Sequence, residues 1–175
     1  MEAKSVYRQG ADEGVPYGIL LVAVSLAFVY SGRHEALSLV ALVLLCLLPV
    51  RLVVIIRRYN ARCGGMAPFS ALWMLGIMAT GCGSIICAAV TYVVLEYAEP
   101  TFLYDQMEAA VEAYSQLSSA PGGEEMYTNL RRALDQGMVP TPIQFVVSMV
   151  WLTAFTGSAV SLVIAGVTRA MSNKR

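Results

Sequence analysis

The sequence predicts an all-α, polytopic membrane fold: four spanning helices, with a small extracytoplasmic helical hairpin between the third and fourth. Three observations predict it. The composition is 57% hydrophobic and 14% charged, where a soluble domain carries about 25% charged residues. Ala67 to Leu95 runs without one Asp, Glu, Lys, Arg or His. At ~1.5 Å per residue a helix over that stretch is roughly 43 Å long, more than a hydrocarbon core of about 30 Å requires. Finally, the basic residues alternate sides along the chain. The N-terminal tail, the 51–66 region and the C-terminal tail hold Lys4, Arg8, Arg51, Arg57, Arg58, Arg62, Arg169, Lys174 and Arg175, nine of the twelve. The positive-inside rule then puts both termini in the cytoplasm.

The first span is expected over about 14–30, with the polar residues 1–13 before it expected to begin helical close to the membrane surface. Glu2, Asp12 and Glu13 offset Lys4 and Arg8, so the clean positive bias of a secretory leader is missing, and the apolar run reads as a retained span. Gly10, Gly14 and Gly18 recur at four-residue spacing and share a helix face, which lets another backbone approach closely. Pro16 is expected in the opening turns, where its missing donor costs least. Asp12 and Glu13 are then held at headgroup level; they are also the nearest candidates for an ion or proton site, because no carboxylate lies mid-span.

Ser31 to Glu35, with Arg33 and the single histidine His34, reads as a solvated turn. The second span, about 36–56, is dense in Leu and Val and carries Pro49, expected to kink it, and Arg51, which can snorkel to the headgroups. With Arg57, Arg58 and Arg62, Arg51 forms a basic cytoplasmic collar suited to anionic lipid.

The third span, about 67–95, carries two ridges of small residues: Gly76, Thr80, Ser84 and Ala88, and beside them Ala79, Gly83, Cys87 and Thr91. Adjacent ridges of this kind make a smooth packing face. Trp73 and Tyr92 suit the two interfaces. The fourth span, about 143–168, carries a matching ladder, Thr153, Gly157, Ser161 and Ala165, the natural partner of the third helix. Small-residue ridges on three helices exceed what one four-helix bundle needs, which points to a homo-oligomer or to pairing with another membrane protein.

Residues 96–142 are the acidic excursion, with eight carboxylates against Arg131 and Arg132. Phe102, Leu103, Met107, Val111, Tyr114 and Leu117 recur at helical intervals. The helix they form is either continuous with the third span or broken at Pro100. Ser118 to Gly123 reads as a turn. A second helix follows from Glu124 to about Gln136, opened by acidic residues and closed by Gly137. Together they make a hairpin able to cap the bundle. Asp105, Glu108, Glu112, Tyr127 and Leu130 form its candidate interaction surface.

Chemistry-bearing motifs are sparse. Cys46, Cys63, Cys82 and Cys87 show no Cys-x-x-Cys spacing, and three of them sit in apolar runs as small packing residues. No Asp-x-Asp-x-Asp loop, His-Glu-x-x-His or Gly-rich phosphate loop occurs. Serine nucleophile motifs are missing, and a single histidine argues against a conventional hydrolytic triad. The reading assigns no catalytic residue, no metal and no cofactor, and takes the bilayer as partner and nucleic acid as none. Two function classes compete: an accessory membrane protein presenting its hairpin to a partner, and a subunit of a small oligomeric transporter or channel.

Arg57-Arg58-Tyr59, Gly64-Gly65-Met66, Phe69-Ser70-x-x-Trp73, Tyr92 and Pro100-Thr101-Phe102-Leu103 together resemble a family of small four-span membrane proteins, common in Bacteroidota and known by a domain-of-unknown-function label. The resemblance covers nearly the whole chain. It departs at Ala120 to Gly123, more turn-like here than the family's longer Glu/Gln-rich helix. The resemblance implies a bacterial inner-membrane location and no established activity.

Overall fold

A computed structural model describes residues 5–32, 35–116 and 123–172. The chain is all-α: α1 Val6–Val29, α2 Glu35–Arg62, α3 Phe69–Val93, α4 Phe102–Gln116, α5 Gly123–Asp135 and α6 Pro142–Ser172. α1, α2, α3 and α6 supply four helices long and apolar enough to cross a membrane, and α4 and α5 form the hairpin between the last two. The residues cluster into two compact units, Met1–Thr91 with Val147–Arg175, and Tyr92–Val146. The expected turn at 118–122 and the Arg33–His34 turn lie outside the described residues.

The first unit is built on α3. Leu72, Leu75, Ala79 and Thr80 are fully buried there, and Leu52, Ile55 and Ile56 of α2 join them, whereas the first half of α2 and the α6 helix present Leu39, Val43, Trp151, Phe155 and Val163 outward. Lipid tails are as apolar as leucine, so burying large side chains gives little preference for helix over lipid, and close backbone packing carries more of the association. Two sets of close approaches carry it. A Cβ placed on Gly10 would lie 2.6 Å from Met78 Cβ, one on Gly14 2.7 Å from Cys82 Cβ, and one on Gly18 3.1 Å from Gly83 Cα. The matched numbers rise together, so α1 and α3 run parallel. On the other side, a Cβ on Gly76 would lie 2.6 Å from Ser161 Cβ, and one on Gly157 2.8 Å from Thr80 Cβ. Here the numbers run in opposite senses, and α3 and α6 are antiparallel.

The helix ends differ from the sequence reading in three places. α1 begins at Val6, because Ser5 caps it by accepting a 3.4 Å hydrogen bond from the Arg8 amide. Pro16 is therefore the eleventh helical residue and not part of the opening turns. It removes the donor that would have bonded the Asp12 carbonyl. α2 continues to Arg62 and ends where Gly64 and Gly65 take φ of 64° and 80°, with the Gly65 amide donating to the Asn60 carbonyl at 2.8 Å. Left-handed glycines of this kind satisfy the last carbonyls of a helix. Past Val93 the chain opens into a wider π turn, Val94–Ala98, and breaks at Glu99 (φ −136°, ψ 62°) just before Pro100. Proline disfavours helical backbone at the residue preceding it, so the third span and α4 are separate helices.

In the second unit, Phe102 and Val111 of α4 are buried while Asp105, Glu108 and Glu112 are exposed. On α5, Tyr127, Leu130 and Leu134 are half-buried. The apolar stripes thus lie inward and the carboxylates outward. Gly137, at φ 66°, closes α5, with the Met138 amide donating to the Ala133 carbonyl at 2.8 Å.

Substituting alanine at Gly14 or Gly76 should lower the unfolding free energy by about 1–3 kcal/mol, since a Cβ at Gly14 would meet the Cys82 Cβ and Ala79 backbone, and one at Gly76 the Cβ and hydroxyl of Ser161. Gly81 faces open space, so Gly81→Ala should be neutral or stabilising by up to about 1 kcal/mol. Thermal unfolding in detergent, followed by circular dichroism, separates the two outcomes.

Candidate functional site

Among the described residues, one ion pair joins two spans of the first unit. Arg51 Nη2 lies 3.4 Å from Glu13 Oε2, the side chains being 32% and 17% exposed. Helix register makes the pair. Glu13 stands as far before Val29, at the end of α1, as Arg51 stands after Glu35, at the start of α2. Two antiparallel helices joined by a short connection bring such positions level. Because α1 begins at Val6, Glu13 stands seven residues inside the helix, roughly 10 Å from its start. Arg51 is six residues, about 9 Å, from Arg57 on α2. The guanidinium is turned to a carboxylate across the helix pair; the expectation that it snorkels to the headgroups did not anticipate this partner. An arginine within a span is costly in proportion to its depth, up to about 2.5–3.5 kcal/mol at a helix centre on insertion scales, and a paired carboxylate offsets part of any such cost. Asp12, next to Glu13, also has an interaction partner.

Among the described residues, the other buried polar side chains are uncharged. The hydroxyls of Thr80, Ser84 and Ser161 donate to the carbonyls of Gly76, Gly81 and Gly157 at 2.9, 2.8 and 2.6 Å. Each of these bonds stays within its own helix, so the hydroxyl is satisfied without a neighbour. Among the described residues, two bonds between uncharged groups cross between helices. Ser25 and Thr91 share one at 2.8 Å, with Cys87 Sγ 3.8 Å from Thr91, and the Trp73 indole donates to the Ser158 carbonyl at 3.3 Å. The first ties α1 to α3 and the second ties α3 to α6. Trp73 also stacks on Phe69, with ring centroids 6.4 Å apart.

Of the small residues singled out in the sequence, Gly10, Gly14 and Gly18 meet α3 at Met78, Ala79, Cys82 and Gly83. Gly76, Thr80, Gly157 and Ser161 meet one another between α3 and α6. Ser84 and Ala165 are buried, and Thr153 is half-buried. The collar residues Arg57, Arg58 and Arg62 are exposed at the end of α2. In the hairpin unit Asp105 accepts a hydrogen bond from Thr101 at 3.2 Å, and Arg131 lies 3.9 Å from Asp135. Among the described residues, no three His, Cys, Asp or Glu side chains come close enough to hold a metal ion. All four cysteines are free thiols.

Sequence reasoning missed two buried amides, Gln9 and Asn60. The side-chain carbonyl oxygen of Asn60 is buried without a hydrogen-bond partner. Its position in the last turn of α2, beside a double glycine, was the only signal available. Glu13 and Arg51 were each noted, but they stand far apart in the sequence and no local pattern couples them.

A double-mutant cycle tests whether the two charges act as a unit. Glu13→Gln alone strands the guanidinium and should destabilise the bundle. Adding Arg51→Met should cost less than the sum of the single changes, with a coupling of about 0.5–3 kcal/mol. Additive losses in detergent unfolding would mean that the pair contributes nothing as a pair.

No curated protein and no solved structure matches the chain. The family model described as protein of unknown function DUF4199 matches residues 13–170, a range that runs from the paired Glu13, through the remaining spans and the hairpin, into the last turns of α6. This small multi-span membrane protein therefore belongs to the DUF4199 family.

Proposed function

We propose that the protein is a structural or accessory component of a bacterial inner membrane, with both termini cytoplasmic, which presents its acidic hairpin to a partner. The observation that supports this most is how the polar groups of the spans are satisfied. The hydroxyls of Thr80, Ser84 and Ser161 are turned back onto their own helices, and Arg51 is paired with Glu13. A transport path uses polar groups that face a cavity and exchange partners with cargo; these are committed to the fold. The hairpin unit, by contrast, carries exposed carboxylates at Asp105, Glu108 and Glu112, together with exposed Tyr104 and Met126. Aromatic and methionine side chains are enriched where proteins meet partners.

A second reading, a subunit of an oligomeric transporter or channel, draws on the Glu13–Arg51 pair, since charges within spans often mark ion or proton paths. The small-residue argument for oligomers is weaker than the sequence alone suggests. The glycines of α1 and the ladders of α3 and α6 already meet partners inside one chain.

Two measurements decide between these readings. Liposomes containing the protein and a pH-sensitive dye should leak protons no faster than empty ones; a protein-dependent flux abolished by Glu13→Gln would establish the transport reading. A photo-crosslinker at Tyr104 should give one discrete adduct in native membranes, while one at lipid-facing Leu45 gives none. The absence of an adduct at Tyr104 would remove the accessory reading. Orientation has its own test. An impermeant maleimide should label Thr128→Cys in intact cells, and Cys63 only after permeabilisation; the reverse pattern would invert the topology.

A further inference from the structure

An apolar groove of about 440 Å³ runs between α2 and α6, lined by Pro49, Val50 and Val53 on one side and Val160, Val163 and Ile164 on the other. Both helices are membrane spans, and the groove opens outward, with Val50 and Val163 more than half exposed. Its end is specific. Arg57 lies four residues beyond Val53 and seven beyond Val50, so it continues the groove-lining face of α2. Met171 lies seven residues beyond Ile164 and continues the face of α6. The two meet, with the Arg57 guanidinium donating to the Met171 thioether at 3.8 Å. A thioether is a weak acceptor and can take only one of five guanidinium donors. Among the described residues no carboxylate forms an ion pair with Arg57. An apolar slot thus leads to a cation that lacks an anion, at the end of the span where a headgroup lies.

We propose that this groove is a binding site for one anionic phospholipid. An acyl chain lies along Pro49, Val53 and Val163, and the headgroup phosphate accepts hydrogen bonds from Arg57. An empty slot facing lipid would forfeit dispersion contacts on both helices, so hydrocarbon fills it. The choice among lipids falls to the guanidinium, which favours phosphate without a compensating headgroup cation. A second copy's helix is the competing occupant, but a helix seated in the slot would leave Arg57 without an anion.

The test is native mass spectrometry of the protein released from lipid discs containing equal phosphatidylglycerol and phosphatidylcholine. The wild-type protein should retain one phospholipid and favour phosphatidylglycerol by about fivefold, the preference expected for one basic residue near the headgroup. Arg57→Gln should bring that preference close to unity. Arg62→Gln, off the groove face but in the same basic collar, should leave it unchanged. Val163→Trp, filling the slot, should abolish retention of either lipid. Equal retention of the two lipids by the wild-type protein would overturn the site. So would an Arg62→Gln effect as large as that of Arg57→Gln, which would reduce the preference to a property of the whole collar. A dimer that Val163→Trp dissociates would assign the groove to a second copy instead.

Discussion

The four-span unit depends on how closely its helix backbones approach α3. In water, a helix of this size would be held by burying leucine and isoleucine. In hydrocarbon that driving force is gone, and dispersion between surfaces that fit takes its place. Gly18 meets the Gly83 backbone directly and Gly14 the Cβ of Cys82 on one side of α3, and on the other Gly157 makes room for the Thr80 side chain. Much else follows from them. Because α1 and α6 both lie against α3, their own outer faces are free to be large and apolar, and Trp151, Phe155 and Ile19 point outward.

Close approach also governs the polar groups. A serine or threonine on a packing ridge brings a hydroxyl to a place where water cannot follow, and an unsatisfied hydroxyl there is costly. The chain resolves this in two ways. Thr80, Ser84 and Ser161 bond the preceding turn of their own helix, which leaves the ridge smooth. Ser25 and Thr91 bond each other across the α1–α3 boundary, which fixes the rotational setting of that pair. Small residues set the distance between helices, and a few directional bonds set the register.

The architecture was legible because it depends on long-range averages. The uncharged runs at 67–95 and 143–168 identify spans whatever their partners, and the helical periodicity that opens at Phe102 marks α4, described over Phe102–Gln116. The helix ends were less legible, because they depend on single local bonds. The polar residues before Gly14 read as already helical, but only the Ser5 cap sets the first helical residue at Val6. The π turn at Val94–Ala98 has no compositional signature at all. Arg51 was visible as a charge near a span end, but its pairing with Glu13 depends on a register between two helices that neither helix encodes alone.

That register explains why a charged pair can sit within a unit otherwise built from neutral groups. Either residue alone would favour sliding its helix toward the nearer surface, Arg51 along α2 and Glu13 along α1. α1 is not free to slide, because Gly10, Gly14 and Gly18 must stay opposite their places on α3. α2 has no glycine ladder; its first half presents Leu39, Leu42 and Val43 to the outside, while Leu52, Ile55 and Ile56 of its second half are fully buried. The ion pair adds a directional contact to that apolar packing. It couples the second span to the first, which is itself held by backbone approach to α3. On this account the paired charges position α2 for the same reason that polar residues fix register in other helix assemblies: among many nearly equivalent apolar contacts, one directional interaction distinguishes a single arrangement.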